Sequence, residues 1–184
     1  MLRRPNAEQI FATFILLISS ATFAYGIQAD TEWVKFTSPK GVFTLLAPHE
    51  LKPDVESQPT DNKMSHERFN DFEEGYGFVI ECFESVPVTD PEKYLNGTRD
   101  GILESLKGTL VSESKLSLDR HPGRELIISL TAQNGTVVLS RTRFYLVGNT
   151  MFSLSYVWRK NLDETLATKT GERFFSSVRI KPEQ

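Results

Sequence analysis

Asn134-Gly135 lies between two long runs in which apolar and polar residues alternate, and this dipeptide constrains the fold more than any other feature. Asn-Gly readily adopts the positive φ angles that two-residue hairpin turns require. Gly148-Asn149 marks a second turn of the same length. Because the loop of a hairpin sets its register, the two turns predict a three-stranded antiparallel meander with defined cross-strand neighbours.

Two-residue loops predict which residues of the meander lie opposite one another. In the first hairpin the expected pairs are Leu126 with Arg143, Ile128 with Arg141, Leu130 with Leu139, and Arg124 with Tyr145. In the second hairpin they are Arg143 with Leu154, Arg141 with Tyr156, Leu139 with Trp158, and Tyr145 with Phe152. A slip of one residue in either hairpin would exchange the two faces of a strand.

These pairs divide the meander into an apolar face and a hydroxyl-rich face. The apolar face would carry Leu126, Ile128, Leu130, Leu139, Tyr145, Phe152, Leu154, Tyr156 and Trp158, with Arg141 and Arg143 between them. The other face would carry Ser129, Ser140, Thr142, Ser153 and Ser155, framed by Ile127, Phe144 and Val157.

Two arginines on an apolar face are the one arrangement in this chain that suggests a binding site. A partly open aromatic floor with two fixed guanidinium groups suits an anionic or aromatic ligand, or an acidic partner segment. Alternatively, a helix covers the face and acidic side chains such as Glu125 or Glu172 neutralise the arginines. The candidate ligand or partner face comprises Arg141, Arg143, Tyr145, Tyr156 and Trp158.

The rest of the chain predicts further strands and two helices. Residues 33–37 and 42–47 read as strands, and residues 64–72 and 76–86 form a hairpin whose second arm is apolar on both faces. A strand of that kind lies in the middle of a sheet covered on both sides. Asp90-Pro91 begins a helix, and Asn161 with Glu164 resembles the capping box of a second one.

The N-terminal segment has the layout of an export signal. Arg3 and Arg4 precede an apolar run at residues 10–18, and small residues follow it up to possible cleavage points after Ala24 and Gly26. We therefore expect a signal peptide at residues 1–26, one domain at residues 27–184, and a periplasmic or secreted protein. If the segment stays uncleaved, it anchors the domain in a membrane, facing away from the cytoplasm.

Composition excludes some classes of function. The net charge is −3, which disfavours nucleic-acid binding. The single cysteine, Cys82, cannot form an internal disulfide, and its apolar alternating surroundings favour a small buried residue. Glu81 and Glu84 beside it would raise the pKa of its thiol, which argues against a reactive nucleophile.

Catalytic and metal-binding motifs are not found in this sequence. It has no phosphate-binding loop, nucleophile elbow, His-Glu-x-x-His or Cys-x-x-Cys pattern. His66 with Asp71, Glu73 and Glu74 offers ligand types near a hairpin tip, but their spacing matches no zinc or calcium pattern. The sequence therefore predicts no metal, no cofactor and no enzymatic activity.

Four short patterns carry a resemblance to a known family: residues 36–43 with Pro48, residues 122–126, residues 143–149 and residues 173–178. In this order they resemble a loose set of exported bacterial proteins of uncharacterised function. The fold relative of that set is PsbP, the extrinsic subunit of the photosystem II oxygen-evolving complex. The resemblance implies an α+β fold, an antiparallel β-sheet sandwiched by helices, and a non-catalytic binding or assembly role.

The leading prediction is an exported, non-enzymatic binding or assembly module with a protein partner in the cell envelope. Two alternatives remain open: a carrier that binds a small anionic ligand on the aromatic–arginine face, and a small hydrolase with dispersed site residues. A deep apolar cavity beside Arg141 would favour the carrier, and a cleft with converging histidine and carboxylate groups would favour the hydrolase. A flat, well-packed surface would favour the binding module.

Overall fold

The computed structural model describes residues 32–54, 66–73, 75–132 and 134–181, and the predicted export signal lies outside them. The chain forms ten strands and two helices within these residues. In order they are β1 (Val34–Thr37), β2 (Phe43–Ala47), β3 (Lys52–Pro53), β4 (His66–Glu73), β5 (Tyr76–Phe83), α1 (Pro91–Leu106), β6 (Thr109–Leu118), β7 (His121–Thr131), β8 (Val137–Val147), β9 (Thr150–Arg159), α2 (Glu164–Ser176) and β10 (Arg179–Ile180).

Seven of the strands form one antiparallel sheet in the order β3-β4-β5-β9-β8-β7-β6. A smaller sheet of order β1-β2-β10 packs on it. Strand β5 lies between β4 and β9, and Phe78 and Phe83 are buried on opposite faces. The prediction of a central strand covered on both sides is therefore confirmed.

The large sheet separates two apolar cores. In the first, which we call the α1 layer, residues of α1 such as Leu95 and Ile102 pack on β7, β8 and β9. In the second, the α2 layer, Phe174 and Phe175 of α2 and Phe43 of β2 pack on β5, β8 and β9. The fold is the predicted α+β sandwich of an antiparallel sheet between helices, with the small sheet sharing the α2 layer.

The predicted register of the first hairpin is wrong by one residue. Leu126 lies opposite Thr142, Ile128 opposite Ser140 and Leu130 opposite Val138, rather than opposite Arg143, Arg141 and Leu139. Likewise, Arg124 lies opposite Phe144, and Gly123 takes the place opposite Tyr145. The whole of β7 is therefore turned over relative to the prediction. Leu126, Ile128 and Leu130 belong to the α1 layer, and Ile127 and Ser129 lie on the α2 side.

The cause of the slip is a loop of three residues instead of two. Ala132 N–H donates to the Thr136 carbonyl, and Gly135 N–H donates to the Ala132 carbonyl at 2.9 Å. Gly135 has φ +79°, whereas Asn134 does not have a positive φ. This is the pattern of a three-residue hairpin, in which only the last loop residue is left-handed.

The second hairpin has the predicted register. Arg143 lies opposite Leu154, Arg141 opposite Tyr156 and Leu139 opposite Trp158, with Gly148-Asn149 as the two-residue loop. All neighbours predicted across β8 and β9 are therefore confirmed. The face that carries the two arginines is set by this hairpin alone.

An aspartate side chain caps the start of each helix, and in α2 this aspartate is not the predicted capping residue. Asp90 accepts hydrogen bonds from the N–H groups of Glu92 and Lys93 at the start of α1, as predicted. Helix α2 is capped by Asp163, whose Oδ1 accepts from Leu166 N–H at 2.7 Å, so the predicted cap at Asn161 is wrong. Aspartate and asparagine cap about equally well, and sequence spacing alone did not separate them.

Candidate functional site

The five candidate residues come together on β8 and β9, on the side of the sheet that faces α2. Arg141, Arg143 and Tyr145 alternate along β8, and Tyr156 and Trp158 alternate along β9. Arg141 lies directly opposite Tyr156, and Trp158 lies two residues after Tyr156 on β9. We call Arg141, Arg143, Tyr145, Tyr156 and Trp158 the arginine–aromatic strip.

Carboxylates already neutralise both arginines of the strip. Glu125 Oε2 accepts from Arg141 Nε at 2.8 Å and from Arg143 Nε at 2.6 Å. Glu172 of α2 accepts from Arg141 Nη1 at 2.6 Å. Partial burial alone would raise the pKa of Glu125, but the hydrogen bonds from the two arginines outweigh burial and lower it. Glu125 therefore stays ionised and holds the guanidinium groups in place.

Aromatic rings complete the environment of the guanidinium groups. The Arg143 Cζ atom lies 4.7 Å from the centroid of the Phe175 ring, and the Arg141 Cζ atom lies 5.2 Å from it. Both distances suit cation–π attraction. The rings of Tyr156 and Trp158 stack with centroids 5.0 Å apart. Phe175 of α2 thus packs against both guanidinium groups, and the side chains of Arg141 and Arg143 remain 17% and 20% exposed.

Burial divides the strip into a closed part and an open part. Tyr145 and Tyr156 are only 4% and 1% exposed. Trp158, Arg141 and Arg143 are half-buried, and so are Ile127 and Leu139, which lie beside Arg141 and Trp158 on the same face. We call the surface formed by Arg141 and Trp158 of the strip together with their neighbours Ile127 and Leu139 the open end of the strip.

Ile127 is the member of the open end that sequence reasoning missed. The predicted two-residue loop placed it on the opposite face, among the hydroxyl groups. The observed pairing of Ile127 with Arg141 places it beside the strip. Testing a three-residue loop against the alternation of β7 would have identified it, since this loop moves Ile127 and Glu125 to the face of the arginines.

The opposite face carries a buried row of polar side chains under α1. Thr142 Oγ1 lies 3.1 Å from Ser140 Oγ and 2.9 Å from Ser155 Oγ. Together with Ser153 and Glu81 they line a cavity of about 10 Å³ that Ile102 and Leu106 of α1 also line. A space of this size holds about one water molecule and is far smaller than a cavity for an organic ligand.

One histidine converges with carboxylates, and it is His49 rather than His66. His49 Nδ1 lies 3.0 Å from Asp71 Oδ2 and 3.6 Å from Glu73 Oε1. His66 lies at the other end of β4, with Nε2 3.5 Å from Glu81 Oε1. Glu74 lies outside the described residues. The side chains of His49 and Glu73 are 44% and 49% exposed, so this group is a surface cluster rather than a cleft.

The cysteine is buried in the α2 layer. Cys82 is 5% exposed and forms no disulfide. Burial, followed by the charges of Glu67, Glu84 and Glu81, raises the pKa of its thiol to about 12. A thiol with this pKa remains protonated at neutral pH and is a poor nucleophile.

A membrane-spanning helix is not found among the described residues, where neither α1 nor α2 combines the required length and apolar character.

Comparisons with known proteins identify the fold. No protein-family model matches the chain, and no curated protein matches it by sequence. Cyanobacterial PsbP from Synechocystis sp. PCC 6803 is 10% identical, with 86% of this chain and 98% of that chain aligned at a TM-score of 0.55. The Ran-binding protein Mog1p of Saccharomyces cerevisiae is 9% identical, with coverage of 82% and 96% and a TM-score of 0.51.

A third structure, from Bacteroides thetaiotaomicron VPI-5482, is 17% identical over 81% of this chain, with a TM-score of 0.52. The present chain spans about half of that protein, since the match covers 48% of its length. Identities this low establish a shared architecture and nothing more specific. On this evidence the chain has the PsbP-like α+β fold, which it shares with Mog1p.

Proposed function

We propose that this chain is an exported, non-enzymatic binding module and that a protein partner docks on the open end of the strip. The observation that carries the proposal is the half-buried state of Ile127, Leu139 and Trp158 around Arg141. Aromatic, aliphatic and arginine side chains grouped on a preformed surface are typical of the centre of a protein interface.

The charges at the open end indicate which partner chemistry suits it. Glu172 is 55% exposed and contacts one outer nitrogen of Arg141, whereas Glu125 is 16% exposed and holds the inner nitrogen. A carboxylate of the partner can replace Glu172 without disturbing Glu125. The expected partner segment therefore presents an acidic residue beside an apolar one.

The fold supports this proposal by analogy alone. One protein of the same architecture, Mog1p, is a Ran-binding protein, so this architecture accommodates a protein partner. The two alternatives receive less support from the described residues. Among those residues, the polar cavity under α1 has room for about one water molecule and lies on the face opposite Arg141, and His49, Asp71 and Glu73 converge on an open surface.

The proposal also assigns the chain to the cell envelope. Residues 1–26 act as the signal peptide and residues 27–184 form the binding domain; the support is the order of basic, apolar and small residues at the N-terminus. Mass spectrometry of the exported protein should find a chain that starts at Tyr25 or Ile27. A chain that retains Met1 would instead mean a membrane-anchored domain.

Site-specific crosslinking tests the docking surface. A photoreactive residue in place of Ser129, which lies opposite Leu139, should give one discrete adduct in the native envelope. Leu139→Asp should abolish this adduct because a buried carboxylate would disrupt the apolar contact. Glu172→Gln should strengthen it, because Arg141 Nη1 then lacks its carboxylate partner.

The control for this experiment is the same photoreactive residue in place of Lys93, which is exposed on α1 on the other side of the sheet. Melting curves of every variant show whether the fold persists. An equal adduct from Lys93, or an adduct that survives Leu139→Asp in a folded protein, would contradict the proposed site.

A further inference from the structure

The two edges of the large sheet differ sharply in how well they are protected. Strand β3 at one edge has two residues, Lys52 and Pro53, and a short edge with lysine and proline resists pairing with other chains. Strand β6 at the other edge has ten residues without proline and pairs, among the described residues, with β7 alone. Eight of its ten residues, 109–115 and 117, are exposed.

Exposed apolar side chains lie at the start of this edge. Leu110 and Val111 are 38% and 58% exposed. The pairing with β7 shifts between Leu110 and Ser112, which marks a bulge at Val111. Beyond the bulge, residues 112–118 pair regularly with β7, and the described part of the chain places no strand on their other side, which leaves an open row of backbone groups.

The centre of the open row has charges of opposite sign on either side of Ser114. Glu113 contacts Arg99 Nη1 at 3.2 Å, and Lys115 forms an ion pair with Glu92. Because Arg99 and Glu92 both belong to α1, the two charged side chains lie on the same face of β6. They are therefore placed to meet side chains of a strand added at this edge.

Two copies of this strand have one register in which their charges match. Along a strand, the N–H and C=O groups of successive residues point alternately toward and away from a given neighbour. Antiparallel pairing of β6 with its own copy is therefore possible only when the numbers of two opposite residues add up to an even number, so adjacent registers differ by two in that sum. With Ser114 opposite Ser114 of a second copy, Glu113 lies opposite Lys115 on both sides of the axis. The adjacent registers place Glu113 opposite Glu113, or Lys115 opposite Lys115, and like charges directly opposite are destabilising.

We infer that β6 is a self-association site: it pairs antiparallel with β6 of a second copy about a two-fold axis at Ser114. The pairing joins two seven-stranded sheets into one continuous sheet, with both copies of α1 on the same side. It involves only the sheet edge and does not rest on the proposed partner site on the face of β7, β8 and β9. Since the regular self-paired segment is short, residues 112–116, the dimer forms in a concentration-dependent manner.

Cysteine crosslinking of the full chain tests this register. Residues directly opposite each other in an antiparallel pair have Cα atoms roughly 4.5–5.5 Å apart, which a disulfide can span. Ser114→Cys should therefore give a dimer band after oxidation. Ser112→Cys is the matched control on the same strand, because its Cα lies roughly 13 Å along the strand from that of its own copy. Native Cys82 is buried and does not compete.

Charge variants separate this pairing from other modes of association. In the Ser114→Cys background, Lys115→Glu places like charges opposite each other and should remove the dimer band. Adding Glu113→Lys restores opposite charges between the copies and should restore the band. Because Glu92, Arg99 and Arg124, the partners of Lys115 and Glu113 within the chain, are unchanged, recovery reports the contact between copies rather than contacts within one chain.

Three results would overturn the inference. One is an equal dimer band from Ser112→Cys, and another is a band that Lys115→Glu leaves unchanged. The third is a constant monomer mass in sedimentation of the unmodified full chain over the concentrations used for crosslinking. Melting curves identify any variant that fails to fold, and sedimentation of the unmodified chain tests the inference without any substitution.

Discussion

At the residue scale, Glu125 links two strands and a helix through charge. Its carboxylate binds the Nε atoms of Arg141 and Arg143, whose guanidinium groups lie over Phe175 of α2. A side chain that is 16% exposed and makes two charge-assisted hydrogen bonds contributes more than a surface ion pair does. Loss of its charge would leave two partly buried, positively charged guanidinium groups with less negative charge nearby to neutralise them.

Glu125→Gln should therefore lower the free energy of unfolding by about 2 kcal/mol at pH 7, as measured by urea denaturation. The hydrogen bonds lower the pKa of Glu125 in the folded state, so its contribution is present above the unfolded pKa and disappears as the pH falls through the folded pKa. The difference between wild type and variant should shrink as the pH falls below about 4. A difference that is the same at pH 7 and pH 3 would contradict this assignment.

The residues of the strip show how far sequence reasoning reaches at this scale. The second hairpin predicts the neighbours of Arg141 and Arg143 on β9 correctly, and the two predicted acidic partners, Glu125 and Glu172, both contact Arg141. Ile127 was missed because its face depends on the first loop. The burial of Tyr145 and Tyr156 under α2 also depends on helix packing, which strand alternation does not report.

At the scale of elements, the three-residue loop between β7 and β8 decides the composition of both layers. The loop turns β7 so that Leu126, Ile128 and Leu130 join the α1 layer. Asn-Gly is compatible with a two-residue turn and with the last positions of a three-residue loop. The dipeptide therefore predicted the hairpin but not its register.

Gly135→Ala should lower the free energy of unfolding by about 1 kcal/mol, because φ at Gly135 is +79° and a Cβ is strained there. A Cβ at Gly135 meets no atom within 4 Å, so the cost belongs to the backbone conformation alone.

Gly97→Ala in α1 is the matched control for Gly135→Ala, since a Cβ there also meets no atom within 4 Å. This helical substitution should instead raise the free energy of unfolding by about 0.5–1 kcal/mol. Thermal or urea denaturation of both variants shows whether Gly135→Ala lowers and Gly97→Ala raises the free energy of unfolding. Equal effects at Gly135 and Gly97 would argue against a left-handed requirement at the loop.

At the scale of the whole molecule, local patterns predicted the individual strands and helices, whereas the sandwich of an antiparallel sheet between helices was implied by the resemblance to PsbP-like proteins. The order of the strands across the sheet was not predicted beyond the meander and the hairpin of β4 and β5. That order depends on contacts between residues far apart in the chain, such as the pairing of β5 with β9. The position of β6 at the edge of the sheet follows from this order, so no local sequence pattern predicts that this edge is open.

Cys82 reports on the opening of the whole molecule. Because the thiol is buried and its pKa is raised to about 12, a thiol reagent at pH 7 should modify it only when the fold opens. The labelling rate should rise with urea in parallel with the fraction of unfolded protein. Rapid labelling of the folded protein in the absence of urea would contradict the described packing of the α2 layer.

The division into two layers also has an optical consequence. The chain has two tryptophans, Trp33 and Trp158, and both pack against the α2 layer. Arg173 lies over the Trp33 ring at 4.5 Å, and the Trp158 ring stacks on Tyr156. Tryptophan emission is therefore a native reporter for one side of the sheet, so docking on the open end should change it, whereas movements confined to α1 should leave the spectrum unchanged.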